Sequence, residues 1–158
     1  MSQYYVPYGS QQTQPDHGIE LFIPWVKQLV TQSEELNVEH MAVLQKLNGL
    51  LHALDSGDRN RIALACDVLA AEAKVHFDKE DELMLASGYP DREAHVEQHE
   101  ELMRGIARIR FSLTSNIGHW SPVGELSMLE QWFVPHLSYA DRRLAEFMAA
   151  QRALPDAA

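Results

Sequence analysis

Four stretches of this chain repeat apolar residues at intervals of three and four, and each sets a histidine where the repeat calls for an apolar side chain. The first runs His40, Leu44, Leu47, Leu51 and Leu54 and closes at the turn formers Asp55-Ser56-Gly57-Asp58. The second carries Ile62, Leu69, Ala73, His76, Glu80 and Leu83 before Gly88-Tyr89-Pro90. The third has His95, His99, Leu102, Ile106, Ile109 and Leu113 and stops at Asn116-Ile117-Gly118. The fourth, after Ser121-Pro122, has Leu126, Leu129, Phe133, His136, Ala140 and Leu144. No stretch alternates as a half-buried strand does. Four helices of roughly 20 residues joined by short connections predict an all-α fold, an up-down-up-down antiparallel four-helix bundle.

The first 18 residues are rich in Gln, Tyr, Pro and Ser and have no apolar period. The expected organisation is an extended, flexible N-terminal arm over 1–18, the bundle over 19–150 and a flexible C-terminal tail over 151–158. Trp25, in Phe22-Ile23-Pro24-Trp25, is expected to mark where the arm begins to pack. A length of 158 residues suits one domain with a single core. The formal charge of −10 argues against nucleic acid or an anionic membrane surface as a partner. No apolar run approaches the length of a membrane span, so membrane insertion is not expected. The start lacks the charged-then-apolar pattern of a secretory signal, which gives a cytoplasmic expectation. Cys66 is the one cysteine, so neither an intramolecular disulfide nor a thiolate metal cage is available.

A single histidine on an apolar stripe is most often a hydrogen-bonded core residue. Four helices with the same anomaly call for a common cause. His40 lies toward the start of the first helix, and His76 and Glu80 toward the end of the second. His95 and His99 open the third, and His136 and Asp141 fall in the second half of the fourth. In an antiparallel bundle these positions meet at one end of the core. Five imidazoles and two carboxylates buried together would lose several kcal/mol of solvation for each unpaired charge. A bound cation removes that cost.

The spacings agree. His76 with Glu80, and His95 with His99, are i, i+4 pairs about 6 Å apart on one helical face. His136 and Asp141 are five apart, which suits residues addressing different parts of a dinuclear centre, or a local bulge in the helix. Seven ligands exceed a tetrahedral zinc site, and calcium or magnesium would not select imidazoles. Imidazole mixed with carboxylate suits iron, and two octahedral ions sharing two carboxylates use every ligand.

The same residues resemble the hemerythrins, and more closely their single-domain bacterial members. The likeness runs from Trp25 to about Met148. It rests on Trp25 fifteen residues before His40, then His76-Phe77-x-x-Glu80-Asp81-x-x-Met84, then Tyr89-Pro90 followed by His95-x-x-x-His99, and Trp132-x-x-x-His136-x-x-x-x-Asp141. The resemblance implies two iron ions (Fe2+/Fe3+) with an oxo or hydroxo bridge. His95, His99 and His136 would hold one, His40 and His76 the other, with Glu80 and Asp141 bridging. Dioxygen would bind at the two-histidine iron, and reversibility would need a dry pocket.

Val43, Phe77, Trp132, Phe133 and Leu137 are the candidate walls of that oxygen pocket, with ordinary core packing as the equal alternative. Phe133 stands where the family commonly has a smaller aliphatic residue, so it is expected to narrow the pocket. Pro135 removes a backbone donor inside the fourth helix and is expected to kink it. His17, His52 and His119 are expected in solvent. Glu39 is expected as an exposed acid, with a hydrogen bond to a ligand imidazole as the alternative. Met84, Met103, Met128 and Met148 are expected to fill core.

The functional expectation is reversible dioxygen binding for storage, delivery or buffering, with an oxygen-consuming enzyme as a candidate recipient. The histidine-rich set differs from oxygenase and ferritin-like sites, which use carboxylates and Glu-x-x-His pairs. The chain is therefore not expected to be an enzyme beyond weak peroxidase-like activity. The alternatives are a di-iron enzyme acting on peroxide or nitric oxide, and an oxygen or redox sensor.

Overall fold

The computed structural model describes residues 31, 33–113 and 122–153. Residues 1–30, which include the expected arm, His17 and Trp25, residue 32, residues 114–121 with His119, residues 154–158 and the side chains of Leu126 and Met128 lie outside the described residues. Helix α1 spans Glu34–Ser56, α2 Arg59–Ser87 and α3 Arg92–Ser112. The fourth rod is α4 (Pro122–Pro135), a π-helical turn (His136–Ala140) and α5 (Asp141–Arg152). The molecule is the expected all-α helical bundle, with α1 on α2, α2 on α3, and α4 against both α3 and α1. Among the described residues no helix is long and apolar enough to cross a membrane.

Local chemistry sets the helix ends. Ser33 accepts from the Leu36 N–H at the start of α1. Asp58 accepts from the N–H groups of Asn60 and Arg61 at 2.9 and 3.2 Å and starts α2. Two residues, Gly57 and Asp58, join α1 to α2. Gly57 and Gly88 adopt φ of 67° and 65°, the left-handed conformation that ends α1 and α2 and that glycine enters without a Cβ penalty.

The apolar stripes form two clusters. The larger runs from Val43 and Leu54 through Ile62, Leu69 and Ala73 to Leu102, Ile109, Leu129, Phe133 and Leu137. The smaller joins Met84, Tyr89 and Leu144, with Val96, Phe147 and Met148 against it. Met84 is fully buried there while Leu83 is only half-buried, so the α2 stripe ends on Met84 rather than Leu83. The reason is the period: Met84 is four residues beyond Glu80 and continues its face. The cluster's end of the bundle is tied by ion pairs of Arg92 with Asp81 (2.7 Å) and Arg143 with Asp91 (2.5 Å). Between the two clusters lies a polar layer.

Candidate metal centre

Every member of that layer is buried. His40, His76, His95, His99 and His136 are 2–5 % exposed, and Glu80 and Asp141 are 0 % exposed. Antiparallel packing brings them level. The ligand position lies early in α1, late in α2, early in α3, and at the π turn of the fourth rod. The turn accounts for the five-residue spacing of His136 and Asp141: the Asp141 N–H donates to the His136 carbonyl, an i→i+5 bond. The extra residue is absorbed there, and both side chains return to one face. Pro135 remains helical (φ −63°, ψ −37°), and the helix widens into the π turn immediately after it.

The rings fall into two groups. His95, His99 and His136 meet edge to face with centroids 4.6, 4.8 and 4.7 Å apart. His40 and His76 form a separate T-shaped pair at 4.9 Å. Both carboxylates stand between the groups. Asp141 Oδ1 is 3.1 Å from Nε2 of His95 and of His136, while its Oδ2 is 3.0 Å from His40 Nε2. Glu80 Oε2 is 3.1 Å from His99 Nε2 and 3.4 Å from His95 Nε2, with His76 Nε2 at 3.7 Å. Its Oε1 lies 3.9 Å from His40 Nε2. The layer thus contains two overlapping donor sets, Glu80–His95–His99–His136–Asp141 and His40–His76–Glu80–Asp141, in each of which all donor atoms lie within 4.8 Å of one another.

These atoms need a cation. All five Nε2 atoms and all four carboxylate oxygens are buried without a hydrogen-bond partner. Left so, each would cost about 1–3 kcal/mol, more for the charged ones. Two first-row metal ions fit, since ligand bonds of about 2.1 Å place neighbouring donors about 3.0 Å apart. Protons are the other available cations. Burial alone would lower His40 and His95, but the Asp141 and Glu80 carboxylates override it and raise both to about 9. Burial lowers His99, and pushes His136 down to about 4. Burial opposes ionisation of Glu80 and Asp141, yet the surrounding imidazoles hold both carboxyls well below the usual range. The carboxylates thus favour protons on His40 and His95, which a bound metal ion would displace.

The imidazoles are oriented from behind. His76 Nδ1 lies 3.2 Å from Glu39 Oε2, and Lys79 grips the other Glu39 oxygen. Glu39 is therefore not the exposed acid expected: it is 13 % exposed, because α1 turns it toward α2. His136 Nδ1 lies 3.0 Å from Gln98 Oε1. Gln98 has no signal of its own in the sequence beyond adjacency to His99. His40 Nδ1 has no partner among the described residues.

The expected pocket residues divide. Val43, Phe77, Phe133 and Leu137 are buried in the larger apolar cluster that adjoins the ligand layer. Phe77 stacks on His99 at 4.0 Å and meets His136 edge-on at 5.9 Å. Trp132 is only half-buried. Its ring lies so close to Gly105 that a Cβ there would be 2.3 Å from the ring, and Arg108 is 4.7 Å from its centroid. Trp132 therefore packs on α3 as well as against the larger cluster. Gly105 has no place on the predicted stripe, and its role is legible only from this contact. Tyr89 is buried beside His95, centroids 6.3 Å apart. His52 is exposed, as expected.

Comparison with known proteins points the same way. A family model, the hemerythrin HHE cation binding domain, matches residues 31–148. A bacteriohemerythrin of Stenotrophomonas maltophilia (strain R551-3) is 29% identical over 129 residues, covering 80% of this chain and 81% of that one. A bacteriohemerythrin of Pseudomonas aeruginosa (strain LESB58) is 27% identical over 120 residues, 74% of this chain and 75% of its own. One from Ralstonia nicotianae is 24% identical over 142 residues, 85% of this chain and 93% of its own.

Proposed function

This chain belongs to the hemerythrin family, and on that premise we propose that its buried layer holds two iron ions and binds dioxygen reversibly. The observation that carries the reading is the division of the rings into three and two with both carboxylates between them. His95, His99 and His136 would hold one ion and His40 and His76 the other. Asp141 presents one oxygen to each group, and Glu80 lies between them with Oε2 near His95, His99 and His76 and Oε1 toward His40, so both would serve as the bridges. The set with fewer histidines, His40 and His76, would leave its ion free to take the gas. The iron pair supplies the two electrons that dioxygen takes up and returns.

The chain's own residues provide what reversibility requires. Val43, Phe133 and Leu137 are each no more than 1 % exposed and keep water from the layer. Histidine-rich ligation with two carboxylates gives a less strongly oxidising centre than a carboxylate-rich one, which favours storage or delivery over oxidation of a substrate. The test is spectroscopic. Protein loaded anaerobically with ferrous iron should gain a visible absorption band on admitting oxygen and lose it on removal, over several cycles. Irreversible conversion to a ferric form that turns over peroxide or nitric oxide would replace this reading with an enzyme.

A further inference from the structure

We propose that Glu39, steadied by Lys79, sets the electron-donating strength of the two-histidine half of the centre through His76. This rests on the two-iron reading above. The two halves are backed differently. On one side, His76 Nδ1 donates to a carboxylate, Glu39 Oε2 at 3.2 Å. On the other, His136 Nδ1 donates to a neutral amide oxygen, Gln98 Oε1 at 3.0 Å. An imidazole that donates to a carboxylate carries more negative charge on its opposite nitrogen and is the stronger ligand. Its metal is correspondingly easier to oxidise. An amide gives orientation with far less charge.

Lys79 makes the effect adjustable. Its ammonium pairs with the Glu39 oxygen that His76 does not use. Glu39 is 13 % exposed and Lys79 52 % exposed, so a solvent-facing lysine is linked through one carboxylate to a buried ligand. The Lys79 ammonium offsets part of the Glu39 charge and so weakens its pull on the His76 proton. Glu39 and Lys79 therefore act in opposite directions, and neither touches the metal or its gas; both are positioning residues.

Opposite signs are what a structural role would not produce. The experiment measures the midpoint potential of the iron pair by spectroelectrochemistry, with iron content per chain, in Glu39→Gln, Lys79→Met, Gln98→Glu and the control Lys74→Met. In Glu39→Gln the amide oxygen can still accept from His76, so that variant removes charge and keeps the hydrogen bond. Expected are a higher potential in Glu39→Gln, a lower one in Lys79→Met and a lower one in Gln98→Glu, with iron binding about tenfold weaker in Glu39→Gln. Lys74 is 65 % exposed and paired with Asp78 rather than with Glu39, so its removal should move the potential less than half as far as removal of Lys79. Shifts of one sign in Glu39→Gln and Lys79→Met, no shift, or equal effects of the two lysines would overturn the inference while two irons remain bound. A parent protein that takes up fewer than two irons would overturn the reading of the centre, and this inference with it.

Discussion

Gly105→Ala should destabilise the bundle only while Trp132 is present. Gly105 lies within α3, where alanine is the better helix former by about 0.8–1 kcal/mol. Against this, the added Cβ would stand 2.3 Å from one carbon of the Trp132 ring and 2.8 Å from the next. Ordinary carbon contact begins near 3.5 Å, so the ring must retreat by about 1.2 Å. Overpacking of this kind costs about 1–3 kcal/mol. Trp132 is half-buried, and its neighbour Arg108 is an exposed side chain that can yield, which puts the cost toward the middle of that range. The net expectation is a loss of about 1 kcal/mol. In a Trp132→Ala background the obstacle is gone and only the helix preference remains, so the same substitution should stabilise by about 0.5–1 kcal/mol. Urea unfolding of the four metal-free proteins closes the double-mutant cycle. A Gly105→Ala effect of the same sign in both backgrounds would refute the assignment of Gly105 as the seat of Trp132.

Glu80→Gln should lower iron below two per chain by elemental analysis, whereas His52→Ala, an exposed residue outside the layer, should leave it at two; retention of both irons in the Glu80 variant would remove that residue as a bridge. Loading metal-free protein with ferrous iron at neutral pH should release roughly two protons in a pH-stat, because His40 and His95, both raised to about 9, must give theirs up. The sign for stability is the reverse: these raised histidines stabilise the metal-free fold below about pH 6.5, and that contribution should disappear as pH climbs through 9 in denaturation curves. Phe133→Leu should speed oxygen exchange in stopped-flow traces and cost about 1–2 kcal/mol of stability, since Phe133 is 1 % exposed in the larger cluster; unchanged exchange with lowered stability would leave Phe133 as core packing alone.

Helix periodicity locates the four rods and the seven polar residues on their inner faces, because both are written in short-range spacing. It does not locate contacts made between helices by residues with no anomalous position. Glu39 reads as a solvent-facing acid from its own helix, and only the packing of α1 on α2 brings it to His76. Gln98 is a polar residue in an exposed place, and its hydrogen bond to His136 depends on where the fourth rod lies. Trp132, one turn before His136, reads as a pocket wall from its own helix, and its seat against Gly105 of α3 follows only from how the fourth rod packs. The Leu83–Met84 difference is smaller in kind: two adjacent apolar residues compete for one face, and the phase fixed by Glu80 decides for Met84.

The π turn connects these levels. A straight α-helix carries residues five apart about 140° away from each other, so His136 and Asp141 could not both enter the layer from a regular rod. Asp141 cannot move, because its two oxygens must face opposite histidine groups, at 3.1 and 3.0 Å. His136 cannot move either, being wedged against His95 and His99 on one side and held by Gln98 behind. The backbone yields instead, accepting the weaker i→i+5 bond over His136–Ala140. Pro135 makes the concession smaller, since it has no N–H to withdraw from the preceding turn and its φ is already helical. The distortion therefore sits where the ligands demand it, and the rods on either side keep their ordinary apolar faces toward the two clusters. A helix that widens for two side chains at its centre identifies the polar layer, more than the apolar cores around it, as what this sequence is built to hold in place.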